Sequence, residues 1–303
     1  MRPLRSPLFY VGDKWKLMPQ LESLFPSDIS VYVEPFVGGG SSFLNTPAER
    51  CLLNDLDPWI IKIHEELLRF SKNEEGLLRK LYAEISRYGF SCSYKGILAP
   101  EDLKRQYPKT YYAHFNKEPY ARLRAVFNHS NKDNLLDLYL LIIYGFNHMI
   151  RFNSKGDFNL PVGNVDFNCN VQAALHGYLQ SCKGRDLYFS ASDFREFLER
   201  VDLKDKRAYV YCDPPYMISS SEYNKFWSQK DEEDLYETLD ELNVRGVRFG
   251  MTNLVHHKGK TNDILLEWSK KYVVFPISSN YISFNDNSVK MGSQEVFVTN
   301  YVR

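Results

Sequence analysis

Val31-Tyr-Val-Glu34-Pro-Phe-Val-Gly-Gly-Gly40-Ser41 is the stretch that decides the fold class. The run Val31 to Val33 is apolar and β-branched, and proline and glycine bound it, so it reads as a strand entering a turn. Three glycines let the backbone take positive φ and approach a ligand closely. A helix-like segment follows. A second apolar run, Cys51-Leu-Leu, ends at Asn54-Asp-Leu-Asp57, and from Trp59 to Phe70 apolar residues recur at helical spacing. Strand, turn and helix, twice in succession, is the grammar of an α/β sheet. The carboxyl end of a first strand is where such sheets bind cofactors. The turn is not GxGxxG and has no phosphate lysine, so it is neither the dinucleotide fingerprint nor a P-loop. Taken alone, it reads equally well as a tight strand–helix connection.

Residues 171–303 repeat the grammar. Leu187-Tyr-Phe, Ala208 to Cys212, Val247 to Met251, Tyr272 to Pro276 and Glu295 to Tyr301 read as strands, and Asp231 to Asn243 as a helix with an acidic first turn. Residues 69–170 lack it. They are rich in Tyr, Phe, Lys, Arg and Asn, and hold one apolar segment, Leu135 to Met149, read as a buried helix. No internal repeat is visible. The expected organisation is an α/β catalytic domain from residues 1–68 and 171–303, interrupted by a mainly helical insert, residues 69–170.

The composition is that of a globular chain. In 303 residues, 44% are hydrophobic and 25% charged, which excludes wholesale disorder. The most apolar segment is too short to span a bilayer, and no apolar run follows Arg2 and Arg5 as a secretory signal requires. Five scattered cysteines without a CxxC pair imply reduced thiols and a cytoplasmic protein, with no structural zinc. His256 and His257 are expected as surface polar residues, and no metal is expected. The 38 basic and 38 acidic residues cancel. The balance is uneven, however: residues 69–170 carry 15 basic against 10 acidic residues. Local charge sets a phosphate-facing surface, so the zero total does not exclude DNA.

Two constellations sharpen the reading. At Asn54-Asp55-Leu-Asp57, Asp55 is placed to accept ribose hydroxyls, while Asp57 before Pro58 reads as a helix N-cap. Asp213-Pro214-Pro215-Tyr216 follows a strand directly. Its prolines remove two backbone donors, leaving carbonyls that, with the Asp213 carboxylate, suit an exocyclic amino group. Tyr216 offers a face for a planar ring.

These motifs together resemble the Dam-type (D12 class, α-group) N6-adenine DNA methyltransferases. Further elements agree in order: Phe9-Tyr-Val-Gly-Asp-Lys14, the stretch Phe146 to Pro161, Ser192-Asp-Phe194 and Glu295 to Tyr301. The resemblance implies a Rossmann-like, S-adenosylmethionine-dependent sheet with an inserted DNA-recognition domain. It implies transfer of a methyl group to N6 of an adenine flipped out of duplex DNA, as the modification enzyme of a restriction–modification system. Asp213, Pro214, Pro215 and Tyr216 are the implied catalytic group. The implied cofactor residues are Tyr10, Lys14, Glu34, Pro35, Phe36, Gly38, Gly40, Asp55, Asp193 and Asp213. Asp193 reads also as a helix N-cap, and Lys14 also as a plain surface lysine. The implied DNA residues are Asn147, Arg151, Asn153, Lys155 and Pro161, with Arg151 the base reader because Arg pairs bidentately with guanine. The aromatic run Tyr107, Tyr111, Tyr112 and Phe115 reads as core rather than as a base-stacking surface. A monomer, with a cognate endonuclease as functional partner, completes the expectation. The alternatives are methylation of a protein amide or RNA, where the first motif residue is more often Asn, and of cytosine N4, where it is more often Ser. A DNA-binding module without catalysis is disfavoured by the intact motif.

Overall fold

The computed structural model describes residues 3–219, 227–278 and 292–302. They fall into two compact units, each built from separated stretches of chain.

One unit comprises Lys16–Val37, Asn45–Leu56 and the described residues from Arg185 onward. It holds the sheet: β1 (Val31–Glu34), β2 (Arg50–Asp55), β3 (Asp186–Ala191), β4 (Ala208–Cys212), β5 (Arg248–His257), β6 (Lys260–Thr261), β7 (Val273–Ile277) and β8 (Ser293–Thr299). The strand order is β3-β2-β1-β4-β5-β8-β7, with β6 hairpinned onto β5. β1 to β5 pair parallel, whereas β8 runs antiparallel to both β5 and β7. This mostly parallel sheet with its helices is the expected Rossmann-like methyltransferase architecture. β4 lies wholly buried, with every residue apolar or aromatic, as strands covered on both faces must be. The core joins Val33, Val210, Phe249, Met251 and Val298 to the helix residues Phe197, Leu235 and Leu239. The chain leaves β1 to one side for β2 and β3, then crosses to β4 on the other. The carboxyl ends of β1 and β4 therefore flank the topological switch point, where such sheets bind ligands.

The second unit gathers the chain up to Trp15, Gly38–Leu44 and Asp57–Gly184. It is mainly helical: Pro58–Leu68, Glu74–Tyr88, Tyr111–His129, Leu135–Ile143 and Cys169–Cys182 are its long helices. Leu136 to Ile143 is buried on all sides, Asp137 included. Asp57 caps the first of these helices by accepting the Trp59 amide at 2.9 Å, with Pro58 at the first helical position, as expected.

Several local expectations are corrected. The apolar helix stops at Ile143 instead of continuing to Met149, because Gly145 turns extended (φ −82°, ψ 157°) and Asn147 and His148 then adopt positive φ. The acidic helix begins at Gln229, two residues earlier than expected, because Ser228 and Asp231 form a reciprocal capping box. β5 runs on to His257, so His257 is buried against β8 and bonds Ser293 Oγ at 2.8 Å rather than lying on the surface. Tyr107, Tyr111, Tyr112 and Phe115 are half-buried, and the aromatic core of this region is instead Tyr120, Phe127, Tyr139 and Tyr144. Cys51, Cys92, Cys182 and Cys212 are buried free thiols, and Cys169 is exposed. Among the described residues no helix is long and apolar enough to cross a membrane, and no group of three or more His, Cys, Asp or Glu side chains is placed to hold a metal ion.

Candidate active site

In the sheet unit the motif residues converge at the carboxyl edge of the parallel strands. β4 delivers Asp213, and the following prolines carry the chain to Tyr216, 8% exposed. Asp213 Oδ1 lies within hydrogen-bond distance of two hydroxyls, Tyr216 at 3.0 Å and Thr252 on β5 at 2.9 Å. Thr252 Oγ1 lies 3.0 Å from the Tyr211 hydroxyl, and Tyr216 also reaches Glu295 Oε1 at 2.6 Å. Burial raises the Tyr211 phenol far above its usual range, and Asp213, Glu34 and Glu295 add to the rise while the Thr252 hydroxyl opposes it. Burial likewise pushes up the Cys212 thiol, with Glu34 and Asp213 reinforcing it. Glu34 and Asp213 thus act on both buried side chains and Glu295 on Tyr211, so negative charge gathers at this edge. Such a patch favours positive charge held or developed in front of it.

Asn54 ties this edge together. Fully buried at the end of β2, its amide donates to the Pro35 and Ser192 carbonyls at 3.1 and 2.9 Å. Its oxygen accepts the Ser192 amide and hydroxyl, and its own backbone carbonyl accepts the Val37 amide. Pro35 and the loop carrying Asp193 are therefore fixed to one side chain, and Asp55 follows it directly. Asp193 caps the helix Phe194–Arg200 through the Arg195 amide at 2.8 Å and pairs with the Arg195 guanidinium at 3.0 Å. The N-cap reading holds. Phe36 packs edge-on to Trp227 and against Phe194.

In the helical unit the glycine turn is closely packed. Gly38 and Gly40 have φ of +47° and +83°, and a Cβ on Gly39 would stand 2.8 Å from Tyr10 Cβ. A Cβ on Gly40 would overlap the Phe43 ring. His64, fully buried, bonds the Gly38 carbonyl through Nε2 at 2.9 Å and the Tyr178 hydroxyl through Nδ1 at 3.1 Å. The Gly38 contact requires the proton on Nε2, because a carbonyl only accepts. Lys14 Nζ donates to the Gly12 carbonyl at 3.3 Å. Burial raises the neighbouring Asp13 carboxyl against hydrogen bonds from Ser41 and the Trp15 amide and the charges of Arg5 and Lys14.

His64 makes the turn sensitive to acid. Burial pushes its pKa down to about 4, against the Gly38 contact that favours the charged form. A lowered histidine pKa means the folded state refuses the proton. The stability this contributes is complete above the ordinary value of 6.5 and is lost as pH falls towards 4. At about 1.4 kcal/mol per unit, this comes to about 3 kcal/mol. Melting temperature should therefore fall across that window in the wild type and vary much less in His64→Gln. Parallel curves would contradict the assignment.

The stretch Phe146 to Pro161 forms a hairpin. Phe152 bridges Phe158, Gly145 bridges Val162, and the tip at Ser154, Lys155 and Gly156 is exposed. Asn128 holds it by pairing both backbone groups of Phe158, at 2.8 and 2.9 Å. Phe152 stacks on Trp59 with ring centroids 4.8 Å apart. Arg151, Asn153 and Lys155 lie along this hairpin, with Asn147 exposed and left-handed at its base. Asn153 Oδ1 accepts the Lys155 and Asp157 amides, so it builds the turn. The Pro161 carbonyl closes the base on the Phe146 amide at 2.9 Å. Arg151 is clamped by Asn159, Nε to Oδ1 and Nη2 to the carbonyl, each at 2.9 Å. One edge of the guanidinium is thus fixed, while the Nη1 donors and the second Nη2 proton are not part of the clamp.

Asn54, His64, Thr252, Glu295 and Asn159 were not singled out as functional from the sequence. Asn54 has a local signal in its position at a strand end beside Asp55, and Glu295 and Asn159 lie within the matched stretches Glu295 to Tyr301 and Phe146 to Pro161.

A Rossmann-like sheet that presents an aspartate and a tyrosine around two prolines at the switch point defines a class, the amino-directed methyltransferases. The chain belongs to the D12 class N6 adenine-specific DNA methyltransferases, whose family model matches residues 10–280. It is 32% identical over 98% of its length to the type II methyltransferase M.FokI of Planomicrobium okeanokoites and 31% identical over 98% to the modification methylase StsI of Streptococcus sanguinis. The chain spans 43% of the length of each of these relatives. It is also 30% identical, over 73% of its length and 66% of the relative's, to the DNA adenine methylase of Haemophilus influenzae.

Proposed function

We propose that this protein methylates N6 of adenine in duplex DNA, with S-adenosylmethionine as donor. The observation that carries the reading is Asp213-Pro-Pro-Tyr216 at the end of β4, with the Asp213 carboxylate already oriented by two hydroxyls. Asp213 and the Pro214 carbonyl take the two N6 hydrogens. That draws the nitrogen towards a tetrahedral shape and exposes a lone pair otherwise delocalised into the ring. The contribution is positioning and preorganised charge. Pro215 stiffens the turn, and Tyr216 stacks on the flipped base, its ring angle set by the anchored hydroxyl.

When bound, the donor supplies an electrophilic methyl group on a positively charged sulfur. The residues present fit it: the acidic patch of Glu34, Asp213 and Glu295 suits a cation, and the glycine turn offers bare backbone. Tyr10 and Lys14 are assigned the methionine end, Glu34, Pro35, Phe36, Gly38 and Gly40 the turn that faces the donor, Asp55 the ribose, and Asp193 the adenine amino group. Residues 69–170 serve as the target-recognition domain within a catalytic domain of residues 1–68 and 171–303. Arg151 reads a base, and Asn147, Asn153, Lys155 and Pro161 support or accompany it. A cytoplasmic monomer working beside a cognate endonuclease completes the reading, and the modification methylases among its relatives support that partnership.

The test is methyl transfer to duplex DNA, RNA and a protein glutamine amide side by side, followed by sequencing of modified bases. Methylated adenine at one DNA sequence is expected. Unmodified DNA beside a modified amide would reverse the assignment.

A further inference from the structure

Asp213 and Tyr216 are not the end of their own network. The Tyr216 hydroxyl touches two carboxylates, Asp213 at 3.0 Å and Glu295 at 2.6 Å, and Glu295 is fully buried on β8. A hydroxyl carries one proton and donates to one carboxylate at a time. A proton arriving on Asp213 lets both contacts be hydrogen bonds at once: Asp213 donates to the tyrosine oxygen while the tyrosine donates to Glu295. The reaction releases one proton at this point. Methylation joins carbon to N6 and leaves the nitrogen with one hydrogen too many.

We propose that Glu295 is the final acceptor of that proton, reached from Asp213 through the Tyr216 hydroxyl. The proposal rests on the N6-adenine reading above. The balance is as follows. The N6 lone pair forms the N–C bond, and the S–C pair leaves with sulfur as a neutral thioether. An N6 proton then passes to Asp213 Oδ1, and its bonding pair returns to the ring. Asp213 gives a proton to Tyr216 Oη as Tyr216 gives its own to Glu295 Oε1. Asp213 and Tyr216 end as they began, and Glu295 holds the proton until the product leaves. Thr252 keeps Asp213 Oδ1 facing this path. Glu295 is fully buried and acts through Tyr216, so it is a relay and positioning residue. Its charge, one hydroxyl away from Asp213, also acts on the positive charge that develops on N6, so the methyl-transfer rate itself senses it.

The test compares wild type with E295Q, E295D and Y216F in single-turnover methylation of duplex DNA, with enzyme in excess. Gln still accepts the tyrosine hydroxyl but takes no proton. A purely structural Glu295 would therefore leave E295Q near the wild-type rate. The relay predicts a fall on the order of 100-fold in rate constant, with donor and DNA KM within about twofold and partial recovery in E295D. Y216F should lose a similar factor, and Y216F/E295Q no more than the larger single loss, because both cut one path. An E295Q rate within about twofold of wild type, or multiplying losses in the double variant, overturns the relay. If E295Q does not fold, Y216F decides alone, since a wild-type rate in a variant without the hydroxyl excludes the path. A wild type that methylates no DNA adenine overturns the underlying reading instead, and the relay falls with it.

Discussion

Asp213→Ala is expected to lower methyl transfer by on the order of 10³-fold or more while duplex binding is largely retained. Two effects combine. Under the proposed mechanism the variant removes the acceptor that pulls on the N6 hydrogens, so the lone pair stays in the ring. It also takes the shared acceptor from the hydroxyls of Tyr216 and Thr252, leaving Tyr216 to Glu295 and Thr252 to Tyr211. The stacking ring is then no longer held from the Asp213 side. Asp213→Asn separates the effects, since an amide oxygen still accepts one hydroxyl. It should preserve thermal stability better than Ala while recovering only part of the rate. Labelled-methyl transfer read beside DNA binding makes the comparison, and full activity in Asp213→Ala would remove the mechanism.

Gly40→Ala should do comparable damage from the other direction, through the glycine turn. Its φ of +83° already disfavours any side chain, and the new methyl would overlap the Phe43 ring. That ring is fully buried, edge-on to both His64 and Tyr178, and cannot swing aside. Strain and overpacking together should cost about 3 kcal/mol. Because the displaced backbone is the turn itself, the donor KM should rise at least about tenfold, close to 1.4 kcal/mol of binding. Gly89→Ala is the control. It has φ +81° but nothing within 4 Å of the new methyl, so only the conformational cost of about 1 kcal/mol remains. Thermal melts with and without donor would distinguish them. Equal losses in the two variants would mean that packing around Gly40 is unimportant.

What could be read along the chain was local. β1 and β4 announce themselves by unbroken apolar runs, the Asp57-Pro58 cap by its dipeptide, and the motif at Asp213 by chemistry that a plain turn does not need. What could not be read depends on pairing between distant stretches. Glu295 meets Tyr216 across 79 residues because β8 inserts antiparallel between β5 and β7, and no local pattern gives a strand's neighbours. Asn159 meets Arg151 only once the hairpin register is known. His64 sits on an amphipathic helix, where one buried histidine looks like any other. His257 was misjudged for a related reason: β5 continues past its apolar run, and pairing with β6 and β8 buries residues that composition assigns to the surface.

Given the base-reading role proposed for Arg151, its clamp bears on the thermodynamics of recognition. An arginine free in solution loses rotamer freedom when it docks, at a cost of about 0.5–1.5 kcal/mol per ordered side chain. With Nε and Nη2 already fastened to Asn159, most of that ordering happens when the protein folds. A fully matched acceptor then gains nearly the whole contact energy, and a mismatched one meets a guanidinium that cannot turn to accommodate it. In that role the hairpin would convert local rigidity into discrimination, without adding a contact to the complex.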